Sequence, residues 1–302
     1  WYKTNSAEIN ITTNINGTVM AMTKDGNNYK SSAQAVITMI DNIPPTIDTV
    51  IASNEWGTIE KITVTGTDDG SGIAGYMLTK TPETPKEDAS GWQESNEFEV
   101  NENTIWYAWA KDALGNISTY KTVTNSHICL GIWDVSKNQD ETVHGILKLD
   151  GTFLVTGEGD TYNYINEADR PYNTLSSKIT NVVVEEGVTS LGDRFLQSIS
   201  TINTISLPST LKSISLNTFE LTTNYNADGI TIANGNTSFI FENSALYDVN
   251  KTILYTHSKN DSATEYTIPS TVTNIAHGAF YSNKNITTIN ISSSFDIGWK
   301  AF

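Results

Sequence analysis

The sequence predicts a mainly β fold, with β-sandwich modules in its N-terminal part followed by a repeat solenoid with short helical or irregular turns. Three observations carry that prediction. Short β-branched or aromatic runs such as Ile62-Thr-Val64, Ile105-Trp-Tyr107-Ala-Trp109 and Phe153-Leu-Val155 are bounded by Gly, Asn and Asp, and no long helical periodicity competes with them. A hairpin pattern occurs twice upstream of residue 126. Four stretches of the C-terminal half then repeat one apolar pattern.

In chain order, residues 1–43 read as the C-terminal part of a sandwich module, because Val19-Met-Ala-Met-Thr-Lys24-Asp25-Gly-Asn-Asn28 parallels the later Trp106-Tyr-Ala-Trp-Ala-Lys111-Asp112-Ala-Leu-Gly-Asn116. Pro44 and Pro45 enforce extended backbone and withhold two donors from any ladder, so a linker ends there and a new first strand begins. Residues 44–126 make a second module of a size that suits an immunoglobulin-like sandwich. Within it, Thr104 to Thr124 reads as two strands around Asp112-Ala-Leu-Gly-Asn116, with Tyr107 and Trp109 alternating against Trp106 and Ala108. Cys129 is the only cysteine, so no intrachain disulfide staples the modules and their cores hold by packing alone.

Residues 127–178 read as a β-rich cap, since the first repeat of a solenoid would otherwise expose an apolar end. The Asp150-Gly151 pair between two apolar runs marks a hairpin inside it. Residues 179–302 hold the repeats. One position is Val184, Leu207, Ile268 and Ile291, followed by Val188, Leu211, Val272 and Phe295. The third is Leu191, Ile214, Ile275 and Ile297, and the fourth Leu196, Phe219, Phe280 and Phe302. The intervals Val184 to Leu207 and Ile268 to Ile291 are both 23 residues, inside the window for leucine-rich repeats. Between Ile232 and Ile268 the interval grows to 36 residues, and Ala245 to Tyr255 reads as an extra hairpin turning near Asn250 that breaks the regular stacking. With Phe302 at the fourth position of the last copy, the array reads as incomplete and the chain as a piece of something longer.

Two parts of the chain resemble known families. The Pro44-Pro45-Thr46 start, the Asp68-Asp-Gly-Ser-Gly-Ile73 loop and the Trp109-Ala-Lys-Asp112 hairpin resemble bacterial Ig-like modules of surface proteins. The cap, Glu186-Gly-Val-Thr-Ser-Leu191-Gly192 and Ile268-Pro-Ser-Thr-Val272-Thr-Asn-Ile275-Ala-His-Gly-Ala-Phe280 resemble BspA-type leucine-rich repeat proteins of bacterial surfaces, over about residues 130–302. The resemblance implies a non-enzymatic adhesion protein on the bacterial surface or secreted, in which an Ig-like stalk presents a repeat surface. Its partner would be an extracellular protein or glycan on a host or neighbouring cell. The alternatives are a structural spacer and a carbohydrate-binding accessory region of a larger secreted enzyme.

Side chains alternate along a strand, so the residue flanked by two core positions faces outward. In the repeats these residues are Val183, Ser206, Thr267 and Asn290, with Glu185, Pro208, Pro269 and Ser292 two places on. They are the candidate ligand-binding face, and the alternative is a solvated face with no ligand. Asp68, Asp69, Asp112 and Asn116 sit in two loops that could meet at one end of the sandwich, and calcium takes oxygen ligands of this kind. The alternative is ordinary turn chemistry, which favours the same residues. Trp106, Tyr107 and Trp109 could stack a sugar, but strand alternation divides them between a core and a half-exposed face.

Catalytic signals are weak. His127, His144, His257 and His277 stand apart in sequence, and none lies in an H-E-x-x-H pattern. Glu185 and Glu186, read as strand neighbours, would point to opposite faces and could not work as a carboxylate pair. No G-x-S-x-G elbow or phosphate-binding loop is present, so no catalytic residue is assigned. With 18 Lys and Arg against 34 Asp and Glu, the net charge of -16 repels phosphate backbones and anionic membranes, which argues against nucleic acid as a partner. No stretch offers the roughly 18 apolar residues of a membrane-spanning helix, so no membrane insertion is expected of these residues. Apart from the calcium reading, no cofactor is expected.

Overall fold

Turns rich in Asn, Asp and Gly divide the chain into short strands, and the computed structural model describes residues 17–37 and 40–302. Two compact units result. The first holds residues up to Glu55 together with Ile59–His127, and the second holds Trp56–Thr58 and Ile128–Phe302. No helix among the described residues is long and apolar enough to cross a membrane.

In the first unit, β1 (Gly17–Asp25) and β2 (Asn28–Ile37) pair antiparallel from Gly17 opposite Ile37 to Asp25 opposite Asn28. The earlier part of the expected first module, residues 1–16, lies outside the described residues. Strand β3 (Thr46–Ala52) starts directly after Pro44-Pro45, where the fixed proline dihedrals end. It pairs with β4 (Glu60–Thr67), and β4 with β6 (Glu97–Val100). A second antiparallel sheet joins β5 (Ile73–Thr79), β7 (Ile105–Asp112) and β8 (Lys121–Thr124). Ile47, Ile62, Val64 and Val100 of one sheet and Ala108 and Ala110 of the other form a common core.

The far side of β7 is covered as well. Trp109, opposite in direction to Ala108 and Ala110, is buried, with Tyr120 edge-on at 5.3 Å and its indole N–H donating to Thr79 Oγ1 at 2.9 Å. Trp106 is half-buried against the shared core. The three aromatics therefore divide between the two faces of β7.

The second unit opens with an antiparallel meander of β9 (Cys129–Asp134), β10 (Val143–Lys148) and β11 (Thr152–Gly157), turning at Asp150-Gly151, where Gly151 has φ of 85°. The cap is continuous with the array, since β11 lies parallel to β13 (Asn181–Val184), the first strand of a ladder that runs on through β15 (Thr204–Leu207) and β17 (Ile230–Ile232). A second parallel ladder joins β12 (Gly159–Asp160), β14 (Val188–Leu191) and β16 (Ser213–Ile214). Two 3-10 helices, Glu167–Asp169 and Asn173–Lys178, lead into β13. The repeats at β13–β14 and β15–β16 each supply one strand to each ladder, and the four apolar positions of the first meet between them: Val184, Val188, Leu191 and Leu196 are all buried in one core cluster.

The irregular interval contains a meander, β18 (Phe239–Glu242), β19 (Ala245–Asp248) and β20 (Ile253–His257). Its second turn falls at Val249 to Thr252, near the expected Asn250, and the Asp248 carboxylate accepts the N–H groups of Thr252 and Ile253 at 2.6 Å. The expected break in stacking is one-sided. Strand β20 continues in parallel to β22 (Asn274–Ile275) and β24 (Asp296–Ile297), whereas β21 (Glu265–Thr267) and β23 (Thr288–Asn290) form a sheet separate from β17. Both faces of the meander are packed. Phe239, Leu246 and Tyr255 belong to the core on one side, and Ala245, Tyr247 and Leu254 to the core on the other. Glu185 and Glu186 are not in a strand, because β13 ends at Val184 and both lie in the following turn. There Glu186 accepts from Ser209 N and Oγ, both at 2.8 Å, tying one repeat to the next.

Candidate binding surfaces

The predicted outward residues occupy two sheets and do not form one row. Val183, Ser206 and Thr231 are aligned on β13, β15 and β17, and Thr267 and Asn290 on β21 and β23. Thr231 was missed because its repeat lacks the regular 23-residue spacing, although the apolar pair Ile230 and Ile232 flanks it like the others. Val183 is half-buried and packs with Trp56 against Cys129, Ile146 and Leu154. It is part of a small apolar cluster. Pro208 is buried too, while Glu185 and Ser292 are exposed. The remaining face is polar: Ser206 is half-exposed, and Thr231, Thr267 and Asn290 are exposed. The Asn290 side-chain amide donates to Glu265 and to Thr267 Oγ1, so the polar row is bonded along the array.

Turn chemistry in the first unit assembles a carboxylate cluster different from the expected set. Asp41, Asp68 and Asp112 each place an oxygen within 4.8 Å of the others. Asp69, exposed beside Asp68, is not in the cluster. Asn116 is adjacent, its amide donating to Asp112 Oδ2 at 2.6 Å and to the Asp41 carbonyl at 3.1 Å. Asp68 Oδ2 accepts from Gly72 N at 2.6 Å, and Asp68 Oδ1 is buried without a partner. Backbone N–H groups of Ile43 and Ser71 hold the Asp41 carboxyl below its ordinary value. An oxygen-lined cluster with an unsatisfied carboxylate oxygen fits a hard divalent cation such as calcium, with Asp41, Asp68 and Asp112 as the side chains that would hold it.

Two of the four histidines lie within 4 Å of a carboxylate oxygen, and His144 is the cross-strand neighbour of Asp134. His127 Nδ1 lies 3.9 Å from buried Glu60, and His257 Nε2 lies 3.5 Å from Asp261. His257 is sealed, stacked on Phe280 at 5.0 Å and edge-on to Tyr266 at 4.6 Å, which gives it a packing role. Burial also pushes the Cys129 thiol up, so it stays protonated beneath Trp56. The open concavities of the second unit lie elsewhere. One of about 330 Å3 is in the cap, and one of about 250 Å3 lies along the β12–β14–β16 ladder, lined by Lys137, Asp160, Asn163, Ser190 and Ser213 among others.

With two parallel ladders, a shared apolar core and a 23-residue step in place, comparison with known families is decisive for one region. Residues 172–302 match the BspA type leucine rich repeat region, in six copies. The four copies legible from spacing are thus part of a longer leucine-rich array that includes the irregular interval. No curated protein matches the chain. Among solved structures, a leucine-rich repeat protein from Eubacterium ventriosum is 22% identical, with 57% of this chain and 63% of that one covered and a TM-score of 0.31. The pneumococcal vaccine antigen PcpA is 16% identical, with 53% and 66% covered and a TM-score of 0.31. A leucine-rich cell surface protein from Faecalibacterium prausnitzii is 18% identical, with 54% and 45% covered and a TM-score of 0.27. The chain spans less than two thirds of the length of each of these proteins.

Proposed function

We propose that the leucine-rich region is the recognition element of a bacterial cell-surface or secreted adhesion protein, carried on Ig-like modules, and that its work is binding rather than catalysis. The observation that carries this reading is the alignment of small polar residues on successive parallel strands, Ser206 beside Thr231 and Thr267 beside Asn290. Such rows suit a wide contact in which many shallow polar interactions add, and solenoid surfaces of this kind are extended binding faces. The partner is an extracellular protein or glycan, and many copies of the protein on one surface would supply avidity beyond any single contact. The two facing sheets of residues 44–126 and their proline start support the stalk assignment.

The test is a pull-down of extracellular matrix proteins together with a glycan array, both with the whole chain. A variant carrying Ser206→Arg, Thr267→Arg and Asn290→Arg keeps its melting temperature and loses the binding found for the native chain. Undiminished binding by that variant removes the polar rows from the contact.

A further inference from the structure

The cap cavity is chemically distinct from the polar rows. Asp134 closes β9 and Ser136 follows it, Tyr162, Tyr164 and Ile165 come from the segment after β12, and Asp169 comes from the first short helix. At about 330 Å3 the cavity lies at the small end of ligand sites, with room for one side chain or one monosaccharide.

Its polar lining joins the carboxylates of Asp134 and Asp169 to the hydroxyls of Tyr162 and Tyr164 and the side-chain amide of Gln139. Burial opposes charge on Asp134, but the Ser136 hydroxyl and the backbone N–H groups of Ser136 and Glu141 outweigh it and hold the carboxyl below its ordinary value. The Ser136 hydroxyl has committed its proton to Asp134 and accepts the Asp140 N–H at 3.0 Å. Asp169 uses Oδ2 for the N–H and amide of Asn166, at 3.0 and 3.2 Å, which leaves Oδ1. Tyr164 is 5% exposed, and its hydroxyl has no hydrogen-bond partner among the described residues and is not one of the sealed atoms, so it is left to the cavity the residue lines. Burial pushes that phenol well above its ordinary value and keeps it neutral.

Neither carboxylate has a cation within ion-pair distance among the described residues. The nearby guanidinium groups are directed to carbonyls, Arg170 to Glu167, Arg194 and Gln197, and Arg194 to Tyr164. Apolar surface lines the same cavity, where Ile165 is 76% exposed and Tyr162 stands 5.1 Å from Tyr164.

We propose that the cap cavity binds the side chain of a lysine or arginine presented by a partner protein, its cationic head between Asp134 and Asp169 and its alkyl stem against Tyr162 and Ile165. An ammonium or guanidinium group brings a positive charge and donors only, which the carboxylates of Asp134 and Asp169 answer with charge and acceptors. A sugar carries no charge and would leave the two carboxylates without a counter-charge. The cavity belongs to the cap alone, so its occupancy can be read whether or not the three arginine substitutions abolish partner binding.

The test is a titration of the whole chain, followed by NMR, with Nα-acetyl-lysine methylamide and Nα-acetyl-arginine methylamide. The uncharged Nα-acetyl-norleucine methylamide and the sugars glucose, galactose and N-acetylglucosamine serve as alternatives. At least one basic amide saturates with Kd of about 10 mM or tighter, and the norleucine amide binds at least about tenfold more weakly. Tyr164→Phe and Asp169→Asn each weaken the basic amide about threefold or more without shifting the melting temperature. If either variant unfolds the cap, Ile165→Ser, at an exposed position, takes its place with the same expectation. Failure of both basic amides to saturate, equal binding of the norleucine amide, or binding of a sugar alone overturns the proposal.

Discussion

Asp68 Oδ1 is buried without a hydrogen-bond partner, and the Asp68 carboxylate places an oxygen within 4.8 Å of ones from Asp41 and Asp112. Three like charges so close repel, and a divalent cation relieves them while filling the vacant coordination of Asp68. Millimolar calcium should therefore raise the melting temperature of the native chain, reversibly on chelation, and should leave an Asp112→Asn plus Asp41→Asn double variant unmoved. An equal response from that variant, or none from the native chain, would leave the cluster as turn chemistry alone. The sequence made Asp68, Asp112 and Asn116 legible because Asp, Asn and Gly crowd their turns. Asp41 was not legible: it precedes the Pro44-Pro45 linker, and only folding brings it to the Asp68 loop, where Ser71 N donates to it at 2.7 Å. Asp69 shares the turn composition of Asp68, but it is Asp68 that turns back onto Gly70 and Gly72 while Asp69 stays exposed.

At the scale of elements, the meander β18–β19–β20 shows where reading by spacing stops. Its turn was legible from Asp248-Val-Asn-Lys251, but burial of both faces was not, because a strand packed on both sides has no polar alternation to display. Ala245-Leu-Tyr247 alternates between two cores, and full burial of side chains such as Leu246 and Leu254 is worth about 1.5–3 kcal/mol each. The meander ends in His257, whose Nδ1 accepts from the Asn283 amide at 3.3 Å and which donates its own backbone N–H to Ala279. Burial pulls the His257 pKa down, and the charge of Asp261 opposes that without reversing it. The folded chain thus keeps His257 neutral at a pH where the unfolded chain, titrating near about 6.5, already binds a proton. This contribution to stability is complete above that pH and is lost as the pH falls below it, by up to about 1.4 kcal/mol per pH unit. Chemical denaturation from pH 7.5 to 5 should show a steeper loss for the native chain than for His257→Phe, which keeps the stack on Phe280 and Tyr266 but cannot titrate. Parallel slopes for the two would show that another group governs acid stability.

The whole array has a direction in its packing. At the fourth apolar position, Leu196, Phe219 and Phe280 are 0%, 2% and 3% exposed and Phe302 is 52% exposed; at the third, Leu191, Ile214 and Ile275 are buried and Ile297 is 62% exposed. The period makes all sixteen positions look alike, since it reports what a repeat offers for burial and not how far each position is covered. In a solenoid, stability is close to a sum of repeat and nearest-neighbour terms, so a copy whose apolar positions are exposed opens at lower free energy than one whose positions are buried. Amide hydrogen exchange of the whole chain should then be fastest in β23 and β24, intermediate in β21 and β22, and slowest in β11, β13 and β14, where the ladders are flanked on both sides. The meander refines that order. Because it shares Leu246 with one core and Leu254 with the other, it couples the two halves of the array, and Leu246→Ala should raise exchange in β13 and β15 as well as in β22. Faster exchange confined to β18–β20 in that variant would mean that the meander packs between two blocks without joining them.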